Sequence, residues 1–249
     1  MEATTKLGMN KTGIQMSPFD SKKMQQPLQN NTEPLQSPPQ STIRESYLMV
    51  PDVIGSVPVP TTLTGMVESA KEMITGNQPQ VLIDKLGERL AFERSGVRLY
   101  EAIIAKCYAR PEEIEESILS ELIHFKDEEA QHFKLVHDAM VSLGADPTAE
   151  TPCADVVGVA SMGLVKVVTD PRTDFSQSLN AILSAELIDN AGWEALIELA
   201  REANQEDLVA RFEIALREED QHLETVKQWL LDLQSAALRG EAVSTETRH

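Results

Sequence analysis

Residues 128–132 read Glu-Glu-Ala-Gln-His, and residues 218–222 read Glu-Glu-Asp-Gln-His. On a helix, residues three apart lie on one face, so in each segment the second carboxylate and the imidazole point the same way. Such a pair on a charged helix is ordinarily surface decoration, and on an apolar helix it can be a satisfied core ion pair. The neighbours separate these readings. At helical spacing the first segment runs Ile118, Leu122, Phe125, Glu129, His132, Val136, and the second runs Leu208, Phe212, Ala215, Glu219, His222, Val226, Trp229, Leu233. In both, Glu and His occupy positions that belong to the core. Two further stripes each carry a carboxylate: Leu86, Leu90, Glu93, Val97, Tyr100, Ile104, Cys107, and Leu179, Ile182, Glu186, Asp189, Trp193, Leu196, Ala200.

A buried carboxylate costs several kcal/mol unless it is paired or binds a cation, so four of them on apolar stripes need a common partner. Their depths agree. Glu93 and Glu129 each stand 18 residues from Pro111, and Glu186 and Glu219 are centred on residues 202 and 203. At 1.5 Å per residue, both pairs lie about 25–27 Å from the turn that joins their helices. If the two hairpins pack with their turns at opposite ends, Glu93, Glu129, His132, Glu186, Glu219 and His222 meet at mid-height. That is the ligand set of a metal centre.

The elements that must do this are four long proline-free helices, expected over 79–109, 111–143, 174–202 and 206–236. Pro111 suits a first helical turn, with Glu112, Glu113, Glu115 and Glu116 as a solvated start beside the positive helix end. Gly144 is a plausible stop, and Thr173 or Asp174 can cap the third helix. Short connections make antiparallel neighbours of the first two helices and of the last two. About thirty residues separate the second helix from the third, with a short helix expected near 154–168. A connection of that length can run back along a helix roughly 45 Å long, which sets the third helix parallel to the second. The fold class expected is all-α, two antiparallel hairpins joined by a long crossover.

Outside residues 79–238 the composition changes. Eight of the 13 prolines precede residue 61, among Gln, Asn, Ser and Thr, so residues 1–78 read as a low-complexity arm with a short docking helix near 62–75. Residues 239–249 read as a flexible tail. The chain carries 22 basic and 40 acidic side chains, a net charge of −18, and 33 of the acids follow residue 77. Such acidity disfavours phosphate backbones, so no nucleic-acid partner is expected. No secretory signal is visible at the start. The apolar run at 156–168 is short and broken by Lys166, so no membrane partner is expected. Cys107 and Cys153 form no C-x-x-C and read as reduced thiols, Cys107 in the core. The localisation expected is cytoplasmic. His124, His137 and His249 have no matched counterparts and are expected to face solvent.

The arrangement of Glu93, Glu129-Ala-Gln-His132, Glu186 and Glu219-Asp-Gln-His222 resembles the ferritin-like di-iron and di-manganese carboxylate proteins, which include ferritins, bacterioferritins and rubrerythrin-like proteins. The resemblance covers about 79–236 and implies a ferritin-like four-helix bundle. It implies that Glu129 and Glu219 bridge two metals, with Glu93 and His132, and Glu186 and His222, as terminal ligands. Tyr100 matches a tyrosine that ferritins place beside the site, as a hydrogen-bond donor or electron donor, and Trp193 is its counterpart in the second hairpin. Four carboxylates and two imidazoles suit two iron ions, or alternatively two manganese ions, better than soft-ligand metals. Each imidazole should donate its other N–H to an outer acceptor, for which Asp189 is a candidate, as it is for an extra ligand or a plain buried contact. The implied partners are dioxygen or hydrogen peroxide, with ferroxidase, peroxidase or substrate-oxidase activity, manganese-catalase chemistry or storage in a homo-oligomeric shell as the readings to separate. A metal-free interaction bundle is the remaining one. No rubredoxin-like pair of C-x-x-C motifs accompanies the site.

Overall fold

The computed structural model describes residues 22, 26, 48, 54–60, 78–112 and 114–240. The chain divides into two units, Ala3–Val53 and the remainder. In the first, Lys22, Gln26 and Leu48 are helical and exposed. The expected docking helix near 62–75 and residues 241–249, with His249, lie outside the described residues.

The larger unit is all-helical, with no strand among the described residues: α1 (Pro79–Ala109), α2 (Glu116–Ser142), α3 (Pro152–Thr169), α4 (Phe175–Glu202) and α5 (Glu206–Leu238). The ends follow local chemistry. Pro79 opens α1, where its missing N–H costs nothing. Asp174, not Thr173, caps α4 in a capping box: its Oδ1 accepts from Gln177 N at 2.7 Å and Gln177 Oε1 accepts from Asp174 N at 3.0 Å. Gly144 ends α2 at φ 79°, a conformation L side chains rarely adopt.

One boundary differs from expectation. α2 begins at Glu116, so Pro111 is not in its first turn and only Glu116 of the four glutamates is. Arg110 precedes a proline, which disfavours helical backbone there, and it sits at φ −142°, ψ 63°. Residues 110–112, 114 and 115 therefore lie outside both helices.

The crossover helix α3 is longer than expected and lies along α1 and α4. At its start Thr151 caps Ala154 and donates to Asp84 O at 3.3 Å, while Cys153 N donates to Asp84 Oδ1 at 2.9 Å. Beyond its end, Lys106 of α1 donates to the carbonyls of Asp170 and Thr173 at 2.8 and 2.7 Å. By length and composition α3 is apolar enough to cross a membrane; Val168 is buried and Val157, Leu164 and Val165 pack half-buried against the core, while Val156, Val159, Met162 and Val167 are exposed.

The buried apolar residues form two clusters. One joins the second half of α1, the first half of α2, the first half of α4 and the second half of α5. The other joins the opposite halves. α1 therefore runs antiparallel to α2 and to α4, α2 runs parallel to α4, and the α1–α2 and α4–α5 turns lie at opposite ends. Between the two clusters lies a polar layer.

Candidate metal centre

That layer holds every residue the spacing singled out. Glu93, Glu129, His132, Glu186, Glu219 and His222 are all buried, each at most 2% exposed. Donor atoms of Glu129, Glu186, Glu219 and His222 lie within 4.8 Å of one another, as do those of Glu93, His132 and Glu219, and of Glu93, Glu129, Asp189 and Glu219. Each of these buried groups could hold a metal ion. Glu219 belongs to all three, and Glu93 and Glu129 to two each, so Glu219 stands at the centre of the cluster.

The flanks match. Nδ1 of His132 points inward, 2.6 Å from Glu219 Oε1 and 3.9 Å from Glu93 Oε2. Nδ1 of His222 also points inward, 3.2 Å from Glu219 Oε2 and 3.8 Å from Glu186 Oε2. Both Nε2 atoms point outward and meet a carboxylate of the opposite hairpin: His132 Nε2 lies 2.8 Å from Glu218 Oε2, and His222 Nε2 lies 2.9 Å from Glu128 Oε2. The first glutamate of each pentapeptide thus orients the histidine of the other. Sequence reasoning missed both; the signal was the doubled Glu, present in each copy. Asp189 does not orient an imidazole. Its Oδ1 lies 2.9 Å from Arg89 Nη1, and its carbonyl accepts from the same nitrogen at 2.9 Å. Its carboxylate also stands within 4.8 Å of oxygens of Glu93, Glu129 and Glu219, so Asp189 joins Arg89 to the acid cluster.

Arg89 is the second residue the sequence reading missed. It is 4% exposed, with Nε 3.0 Å from Glu93 Oε1 and the guanidinium 4.6 Å from the Phe92 ring centroid. Tyr100 takes the equivalent place at the other flank, its hydroxyl donating to Glu186 Oε1 at 2.6 Å. Trp193 packs edge-on to His132 at 5.7 Å and Tyr100 edge-on to His222 at 6.1 Å. Asn190 ties α4 to α5 at this level, donating to the carbonyls of Glu186 and Glu219 at 3.0 and 3.2 Å. Room for the acid groups comes from glycine. A Cβ on Gly96 would stand 2.0 Å from Glu129 Oε2, and one on Gly192 would stand 2.1 Å from Arg89 Nη1.

Crowding the carboxylates distorts their protonation. Burial pushes Glu93 up to about 7 and Glu186 to about 8, and holds Glu129 and Asp189 well above the usual range. Burial also acts on Glu219, but bonds from His132 and His222 prevail and hold it low. Burial disfavours the imidazolium forms, yet the facing carboxylates raise His132 to about 9 and His222 to about 10. Without a cation the site holds itself together with protons. Even so, Glu93 Oε2 and one oxygen each of Glu129 and Glu186 find no hydrogen-bond partner, while Glu93 Oε1 has only its ion pair with Arg89, and Glu219 Oε2 and His222 Nδ1 have only each other. These orphaned atoms are the donors a hard or borderline divalent cation needs, so the residues fit such an ion.

Among the remaining titratable groups, His124 is exposed as expected, whereas His137 is half-buried and lies 3.0 Å from Asp138 Oδ1. His124 Nε2 lies 3.3 Å from Glu128 Oε1, the oxygen not used by His222. Cys107 is a buried thiol raised to about 11, an inert core group. Compared with known protein families, curated proteins and solved structures, the chain matches none, so the site is read from its own chemistry.

Proposed function

We propose that the chain is a ferritin-like di-metal carboxylate protein, a four-helix bundle of α1, α2, α4 and α5 that binds two iron ions and acts as an oxidoreductase on dioxygen or hydrogen peroxide. The observation that carries this is the pair of matched flanks, each one terminal Glu and one inward Nδ1, sharing Glu129 and Glu219 between them. A single ion would leave half of these buried donors unpartnered. Two divalent cations balance the four carboxylates, and the Arg89–Asp189 pair is neutral by itself.

Glu93 and His132 would hold one ion, Glu186 and His222 the other, with Glu129 and Glu219 between them. Bound there, a redox-active metal pair supplies electrons to an oxygen species. The chain's part is orientation and dryness. Glu218 and Glu128 fix the imidazole rings so that Nδ1, freed of its proton, faces the ions. The two apolar clusters above and below keep bulk water from the layer, which strengthens every charge interaction within it. Tyr100 holds one oxygen of Glu186 and leaves the other for an ion. The line His124, Glu128, His222 runs from solvent to the site with one Glu128 oxygen against each imidazole, so a surface residue braces the carboxylate that fixes His222. At the other flank Ile214 stands where His124 stands here, four residues before the outer glutamate.

The test is metal content by mass spectrometry after anaerobic loading with iron(II) or manganese(II). Two equivalents per chain are expected in the native protein, and their loss in the Glu129→Gln/Glu219→Gln variant. Iron preference with dioxygen or peroxide consumption supports the oxidoreductase, whereas manganese preference with oxygen evolution from peroxide moves the activity to the catalase type. Less than one equivalent of either metal sinks the proposal.

A further inference from the structure

The two flanks are alike in ligands and unlike in what stands behind them. Pairing the hairpins through Glu93 and Glu186 sets Arg89 against Ile182, Gly96 against Asp189, and Tyr100 against Trp193. The near-twofold likeness of the ligands is therefore broken at three positions. The consequence falls on the outer oxygen of each terminal carboxylate. At Glu186 it accepts from a neutral hydroxyl, Tyr100, at 2.6 Å. At Glu93 it meets a guanidinium, Arg89 Nε, at 3.0 Å.

Resting on the di-metal reading above, we propose that Arg89 makes the two metal positions unequal, so that cations fill the Glu186–His222 position first and the Glu93–His132 position second. Arginine keeps its charge in any protein environment. A carboxylate already shared with a guanidinium donates less to a metal, and a fixed cation beside an incoming dication repels it, most strongly in a dry interior. Asp189, whose carboxylate stands within 4.8 Å of Glu93, Glu129 and Glu219 oxygens, offsets part of that repulsion, but its Oδ1 is engaged by Nη1 of the same guanidinium. Arg89 is built in and does not swing. The Asp189 carbonyl and carboxylate hold Nη1, the Phe92 ring lies beneath, and the absent side chain of Gly192 makes the space.

The experiment is an anaerobic calorimetric titration with cobalt(II), a divalent probe needing no turnover, on the native protein and on Glu93→Gln, Glu186→Gln and Arg89→Gln variants. The native protein should show two steps separated by about tenfold or more in Kd, a gap that a fixed neighbouring charge in a buried site can produce. Glu186→Gln should remove the tight step, Glu93→Gln should spare it and remove the weak one, and Arg89→Gln should tighten the weak step until the two merge. Equal steps in the native protein, a tight step that depends on Glu93, or an unchanged gap in a folded Arg89→Gln variant overturns the inference alone. The Glu93 and Glu186 comparison decides it even if Arg89→Gln does not fold. No binding in any form overturns the di-metal reading and this inference with it.

Discussion

Glu218 Oε2 lies 2.8 Å from His132 Nε2, a contact across two helices that belong to different hairpins. Its mirror, Glu128 to His222 at 2.9 Å, crosses the same two helices in the other direction. α2 and α5 are thereby locked through the histidines they contribute to the centre, and each pentapeptide completes the other. Folding of both hairpins is a condition for either imidazole to be aimed.

Glu218→Gln and Glu128→Gln should each keep a hydrogen-bond partner for the imidazole but weaken it as a ligand. A loss of roughly 10–100-fold in metal affinity is expected for each, the range typical of outer partners of metal-bound histidines. Chelator competition on the purified variants measures it, and unchanged affinity in both would remove these glutamates from the site.

The metal-free protein should lose stability as pH rises from 5 to 9. Glu93 and Glu186 rise from 4.5 to about 7 and about 8, and His132 and His222 from 6.5 to about 9 and about 10. Each binds its proton more tightly folded than unfolded, so the stability it brings is complete at low pH and lost as pH climbs through the folded value. The carboxylates lose theirs between 4.5 and about 8, the imidazoles between 6.5 and about 10. Glu219 is held low and acts oppositely, but only below its ordinary 4.5. Thermal melts of metal-free protein should show Tm falling by about 5 °C or more across that range, and saturating metal should flatten the slope by displacing the protons. A Tm that climbs with pH in the absence of metal contradicts this protonation pattern.

Gly96→Ala should damage the centre while leaving helix propensity improved. The added methyl would stand 2.0 Å from Glu129 Oε2, so the carboxylate must move. Gly158→Ala on α3 is the control, since a Cβ there meets nothing within 4 Å. The control should gain about 0.5–1 kcal/mol from better helix propensity, while Gly96→Ala loses metal stoichiometry. Melts and metal analysis on the two variants separate the effects; full metal occupancy in Gly96→Ala would show that Glu129 is not held where its contact with Gly96 puts it.

Tyr100→Phe should leave Glu186 Oε1 buried without its donor. The ring stays packed against Phe125, so the cost is that of an unpaired buried acceptor, roughly 1–3 kcal/mol in the metal-free protein. Chemical denaturation measures it, and a loss no greater than at an exposed site would mean that the hydroxyl bond contributes nothing.

The helices, their apolar stripes and the common depth of the four carboxylates were legible in the sequence, because helical period and rise are local and nearly constant. Counting residues from Pro111 and from the 202–203 turn was enough to put Glu93 beside Glu129 and Glu186 beside Glu219. What surrounds the ligands was not legible in this way. Glu128 and Glu218 each stand one residue before a ligand, about 100° around their own helix from it, so spacing alone turns them away from the site. Only the neighbouring helix brings a histidine into their reach. Arg89 stands outside the stripe of Leu86, Leu90 and Glu93 and is buried because Gly192, about a hundred residues on, leaves it space, and because Asp189 and Glu93 meet it from two helices. Asp189 lay on the right stripe and found a different partner. A stripe fixes which face a side chain is on; which group it meets there depends on how helices from distant parts of the chain pack.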